Sequence, residues 1–196
     1  MTKPLLQIVI GSTRPGRVGL PVAEWFEPIA RGHGGFEVEV VDLLAIGLPL
    51  LDEPNHPRLH QYTHPHTKAW SKTISRADAF VFVVPEYNYG FNAATKNAID
   101  YLHLEWQFKP VGFVSYGGVA AGTRAVQMLK QVMTTLKMVT VFESVNIPFV
   151  TEFLDAERRL QANQVMEEAA VAMLYELQRW TEALAPLRTG NPVPPA

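Results

Sequence analysis

The chain has 196 residues, 47% of them hydrophobic and 18% charged, which is enough apolar material for one sizeable core and lacks the polar bias of a disordered chain. A net charge of −2 supplies no basic field for a phosphate backbone, so nucleic acid is not an expected partner. The absence of cysteine excludes disulfides, thiolate metal sites and a dithiol relay, leaving any redox chemistry to a bound cofactor.

In chain order, the apolar run Leu5 to Ile10 predicts a strand that opens into Gly11-Ser12-Thr13-Arg14-Pro15-Gly16-Arg17 and then a helix over Val18 to Arg31. Glu37 to Val41 alternates charged and apolar residues, as an edge strand with one wet face does. A helix over Thr67 to Arg76 leads to a strand at Ala79 to Val84, the loop Pro85 to Gly90, and a helix over Asn92 to Leu102 with Asn92 as its N-cap. Val111 to Ser115 predicts a fourth strand, Thr123 to Leu136 a helix, Val139 to Phe142 a fifth strand, and about Asp155 to Ala185 a long last helix. The proline-rich stretch from Pro186 to Ala196 is expected to be a disordered tail, leaving one domain over residues 1–185. Such alternation gives an α/β fold, a parallel sheet covered on both faces. No apolar run reaches the length of a membrane span or of a signal peptide core, so a cytoplasmic chain is expected.

Chemistry gathers where strands end. After the first strand, Gly11 and Gly16 allow successive N–H groups to converge on an anion, and the next helix points its positive end at the same place. Ser12 and Thr13 add hydroxyls, and Arg14 and Arg17 add planar forks that suit phosphate oxygens. The spacing Gly-x4-Gly is that of a nucleotide triphosphatase loop, but Arg17 and Val18 stand where that loop needs Lys and then Ser or Thr, and the dinucleotide pattern G-x-G-x-x-G is absent. A monophosphate is the expected ligand. After the third strand, Pro85-Glu86-Tyr87-Asn88-Tyr89-Gly90 offers an aromatic wall and amide groups to a flat polar-edged ring. After the fourth, Ser115-Tyr116-Gly117-Gly118 allows close backbone approach. In a five-stranded sheet ordered 2-1-3-4-5 the three loops meet in one crevice, and together they read as a site for flavin mononucleotide.

Other features have plainer readings. His56, His60, His64 and His66 lack carboxylate partners at a ligand spacing, so no metal is expected. Asp42 reads as a strand-end turn residue. The stripes Met128, Leu129, Val132, Met133, Leu136 and Met166, Ala170, Met173, Leu177, Trp180, Leu184 read as core.

The runs Gly11 to Arg17, Pro85 to Asn88 with Lys96 to Leu102, and Lys109 to Gly118 resemble the NADPH-dependent FMN reductase family of flavodoxin-like fold, in that family's order over roughly residues 5 to 145. The resemblance implies a three-layer sandwich and FMN as cofactor. It implies Ser12, Arg14, Arg17, Val18 and Gly19 at the phosphate, and Pro85, Glu86, Tyr87, Asn88 and Tyr89 along the isoalloxazine. Ser115, Tyr116, Gly117 and Gly118 would lie under the ring and ribityl chain. It also implies NADPH or NADH as hydride donor, a quinone or similar acceptor, and no catalytic acid or base among the side chains. Two departures stand out: Asn92 where the family often has proline, and Val18-Gly19 where many relatives carry a hydroxyl or Asn. In the family the region of Tyr101, Trp106 and Phe108 helps form a dimer, so a homodimer or a dimer of dimers is expected. Release of reduced FMN to a separate monooxygenase, electron carriage without turnover, and flavin storage stay open as alternatives.

Overall fold

Apolar runs without alternation become the centre of the sheet, because both faces of those strands are covered. The computed structural model describes residues 3–190 and 193. Its elements are β1 (Leu5–Ile10), α1 (Gly19–His33), β2 (Glu37–Asp42), α2 (Leu43–Ile46), α3 (Pro65–Ser75), β3 (Ala79–Pro85), α4 (Ala93–Asp100), β4 (Pro110–Tyr116), α5 (Thr123–Thr135), β5 (Val139–Ile147) and α6 (Gln164–Gly190). The five strands are parallel in the order β2-β1-β3-β4-β5. Every residue of β3 and of β4 is buried, whereas β2, on the edge, exposes Glu37 and Val40. On one face Leu6, Ile8, Ile10, Val81 and Val83 pack with Phe26 of α1 and Met173, Leu174 and Leu177 of α6. On the other, Val9, Phe80, Phe82 and Phe113 pack with Trp70 of α3, Ile99 of α4 and Leu129 and Met133 of α5.

Four expectations change. Tyr101 and Trp106 are fully buried in this second core, Trp106 donating to the Ile99 carbonyl at 3.1 Å and meeting Trp70 edge-on, so of the three aromatic residues only Phe108, half-buried, is left partly open to a partner. The fifth strand continues five residues beyond Phe142: its register against β4 shifts between Val111 and Phe113, and the irregularity leaves Phe142 88% exposed. The last helix starts at Gln164 because Asp155 to Arg159 close a tight turn, with Asp155 N–H donating to the Arg159 carbonyl at 3.0 Å and Leu154 bridging Leu160. That helix also runs through Pro186 to Gly190, held by Arg188, which donates to the carbonyls of Phe108 (3.2 Å) and Thr181 (3.0 Å). Of the expected tail, residues 191, 192 and 194–196 lie outside the described residues.

At the strand starts, opposite the loops that carry the candidate chemistry, Lys109 is buried and donates to the carbonyls of Ile74 (2.8 Å) and Ser75 (3.2 Å) at the end of α3.

Candidate functional site

The three loops after β1, β3 and β4 are joined by hydrogen bonds at the carboxyl edge of the sheet. Asn92 stands at the N-cap position of α4, but its side chain makes no cap bond. Its Nδ2 instead donates to the Gly11 carbonyl at 2.6 Å, and its Oδ1 accepts from Thr95 Oγ1 at 2.8 Å, pinning the first loop to the second. The second is tied to the third by the Glu86 N–H, which donates to the Tyr116 carbonyl at 3.0 Å. The convergence expected from the strand order is therefore present as direct contact.

In the first loop the two arginines part company. Arg17 donates to the Ser12 carbonyl at 2.7 Å and forms a two-pronged pair with Asp42 at the end of β2. Burial alone would raise the Asp42 carboxyl, but Arg17 and the Leu44 N–H outweigh it and hold the group below its ordinary value. Asp42 is thus more than a turn residue: it caps α2 and locks Arg17. The Arg17 fork expected at the phosphate is taken by this pair. Arg14 is exposed and makes no ion pair among the described residues, so of the loop's own two arginines it is the guanidinium left for an anion. Gly16 takes the expected left-handed backbone (φ 68°), whereas Gly11 is needed for space, since a Cβ there would stand 2.3 Å from Thr95 Oγ1.

Sequence reasoning missed Arg158, which reaches back 142 residues to donate to the Gly16 carbonyl at 3.0 Å. Its position in the turn after β5 carried no local signal.

Two donors under this loop, Ser12 Oγ and Tyr116 Oη, are both buried and face each other, and neither has any other hydrogen-bond partner among the described residues. They flank Gly19, the first residue of α1, where an added Cβ would lie 2.3 Å from Ser12 Oγ and 2.7 Å from Tyr116 Oη. The helix itself begins at Val18 and Gly19 without a side-chain cap, so its first N–H groups are also open. Buried hydroxyls, an uncapped helix start and the unpaired Arg14 form the donor set that a terminal phosphate requires, and FMN fits it.

The second loop is a two-residue hairpin turn. Tyr87 and Gly90 exchange both backbone hydrogen bonds (2.8 and 2.9 Å), and Asn88 and Tyr89 between them have φ of 48° and 71°. Tyr87 and Tyr89 are exposed, while Pro85 is buried as the last residue of β3. The Arg124 guanidinium lies 3.8 Å from the centre of the Tyr89 ring. Glu86 faces α5 rather than the crevice, accepting from the Arg124 N–H and pairing with its side chain, each at 3.2 Å. In the third loop the Ser115 hydroxyl is occupied between the Ala121 carbonyl (2.8 Å) and Asn146 Oδ1 (2.9 Å), bracing the turn. Gly118 is exposed, with open space around its Cα.

Contrary to the sequence expectation, two of the histidines do meet carboxylates: His66 pairs with Asp52 at 2.9 Å, and His60 lies 3.3 Å from Glu105 although its Nε2 makes no hydrogen bond among the described residues.

Residues 4–152 match the family model described as NADPH-dependent FMN reductase. The chain belongs to this family. It is an oxidoreductase with FMN as its flavin and NAD(P)H dependence, as FMN reductases of this family are. It is 43% identical over 137 residues to an NAD(P)H-dependent FMN reductase of Schizosaccharomyces pombe, a match covering 69% of this chain and 68% of the relative. An NADPH:quinone oxidoreductase of Arabidopsis thaliana is 29% identical over 157 residues, covering 75% and 76% of the two chains. The flavoenzyme NAD(P)H:(acceptor) oxidoreductase of Paracoccus denitrificans has the same fold, with a TM-score of 0.71, 20% identity, and 92% and 98% of the two chains covered. Arg158 lies beyond the stretch that this FMN reductase family model matches, so the contact that braces the first loop comes from a part of the chain outside it.

Proposed function

We propose that the protein carries two electrons by ping-pong turnover from NADPH or NADH to a quinone or a similar flat acceptor. The observation behind this reading is one crevice, tied together by the Asn92 and Glu86 hydrogen bonds, with phosphate chemistry at one end and exposed aromatic rings at the other. The quinone assignment draws on the relative from Arabidopsis thaliana, whose activity is the one its name gives. Bound FMN supplies the electron chemistry. The chain supplies position: Ser12, Arg14 and the first turn of α1 hold the phosphate, and Tyr87 and Tyr89 wall the ring end. The turn geometry of Asn88 and Tyr89 leaves their N–H groups outside the hairpin pair, available to the polar edge of a flat ligand. No side chain in the crevice is assigned as acid or base. A single open face cannot hold nicotinamide and acceptor together, so the two take turns.

The test is an anaerobic spectrum of the purified protein before and after NADPH, followed by addition of a quinone, with steady-state rates at several concentrations of both. Flavin bleaching by NADPH, recovery with quinone and parallel double-reciprocal lines are expected. Intersecting lines, or bleaching without recovery, would refute the proposal.

A further inference from the structure

A buried hydroxyl without an acceptor is costly, and a fold keeps one where something else repays it. Tyr116 is such a group. It is 5% exposed, closes β4, and packs its ring into the core shared with α1 and α6, beside Ile10 and Val83. Its hydroxyl passes under the carboxyl end of β3 to the foot of the first loop. There it faces Ser12 Oγ, its one hydrogen-bonding neighbour among the described residues, beside the uncapped first turn of α1. The charges around it are those of Arg17 and Arg14, with Tyr87 also within electrostatic reach. Among the described residues no carboxylate or carbonyl accepts from it.

We infer that Tyr116 belongs to the phosphate subsite, where its hydroxyl, with that of Ser12, donates to the terminal phosphate and so separates FMN from riboflavin. This reassigns the residue from the ring and ribityl end, where its place in the third loop would put it, to the opposite end of the crevice. Burial pushes the phenol up to about 12, which keeps the proton on the oxygen and the group a donor throughout the physiological range. Gly19 has its own reason in this arrangement: any side chain there would collide with both hydroxyls.

The inference rests on the FMN reading above, and its test separates the two. FMN and riboflavin are titrated into apo protein by flavin fluorescence, for wild type, Tyr116→Phe and Ser12→Ala, with thermal midpoints of each apo protein. Tyr116→Phe keeps the ring and removes only the hydroxyl oxygen, so its apo midpoint should equal or exceed that of wild type. Its FMN affinity should fall roughly tenfold or more, the range for a hydrogen bond to a charged group, with riboflavin affinity unchanged. Ser12→Ala should act in the same direction. If wild type binds FMN no better than riboflavin, the phosphate reading itself is wrong. If wild type prefers FMN and Tyr116→Phe keeps that preference in full, the phosphate reading stands and the assignment of Tyr116 is overturned.

Discussion

Arg14 and Arg17 are three residues apart and chemically identical, yet the structure gives them different work. Arg17 holds Asp42 and the Ser12 carbonyl, while Arg14 is unpaired among the described residues. Arg14→Ala should therefore weaken FMN by about 1.5–3 kcal/mol and leave the apo protein's urea midpoint unchanged. Arg17→Ala should lower that midpoint and weaken FMN only through a disordered loop, so Asp42→Asn should reproduce its effects. Equal loss of FMN affinity without destabilisation in both arginine variants would contradict this division. Lys109 offers a pH test far from the flavin. Burial pushes its ammonium down from 10.5 to about 7, against the pull of Asp78 and Glu105. Between those values the unfolded chain holds a proton that the folded chain has released, so this group adds stability as pH rises from about 7 toward 10 and none of that gain is present below 7. Lys109→Met removes the titration. The stability difference between wild type and this variant should shift in favour of wild type across that window, and parallel stability curves would refute the assignment.

At the scale of elements, the central strands followed from uninterrupted apolar runs, because burial on both faces leaves a signature that single residues carry, and β2 from its alternation, whereas the order 2-1-3-4-5 came from the doubly wound pattern. The turn at Asn88 and Tyr89, the bonds of Asn92 and Arg17, and the reach of Arg158 did not follow. The turn is closed locally by Tyr87 and Gly90, but the others depend on partners distant in the chain, and Asn92 reads equally well as a helix cap until Gly11 is seen beside it. β5 was misjudged because Glu143, Ser144 and Asn146 break the apolar run of a strand that, at the sheet's edge, has no need of one. The third loop separates two roles for adjacent glycines. A Cβ at Gly117 would stand 3.3 Å from the Gly122 nitrogen and 3.4 Å from Glu86 Cβ, so a side chain there strains the protein before it meets a ligand. Gly118 has nothing within 4 Å of such a Cβ. Gly117→Val is expected to lower apo stability, whereas Gly118→Val should leave it unchanged and slow both half-reactions in stopped-flow measurements. Unchanged rates in Gly118→Val would place the ligand away from this loop.

For the whole molecule, burial of Tyr101 and Trp106 leaves only Phe108 of the surface on which a dimer was first expected. Among the exposed apolar side chains are Leu44 on α2 and, beside it in the chain, Leu50 and Leu51 on the connection that Asn97 of α4 holds through the Pro49 carbonyl (2.7 Å) and the Leu51 N–H (2.9 Å). The homodimer that the family resemblance implies would need such a face for its second copy. Leu50→Glu should then convert a dimer to a monomer in light scattering, and a wild-type monomer at micromolar concentration would dismiss the idea.

The fork between Arg17 and Asp42 reaches beyond its own strength. Asp42 is the last residue of an edge strand with a neighbour on one side only, the kind of strand that frays first. If the phosphate loop must loosen before β2 can peel away, flavin bound at that loop acts as a latch on the sheet's margin. Amide hydrogen exchange at Glu39 and Val41, whose N–H groups face β1 as that of Glu37 does, should then slow on adding FMN, by up to roughly a hundredfold at a ligand concentration of 100 Kd. In Asp42→Asn the same amides should exchange quickly whether or not flavin is present, so that the outer strand no longer registers what the crevice holds.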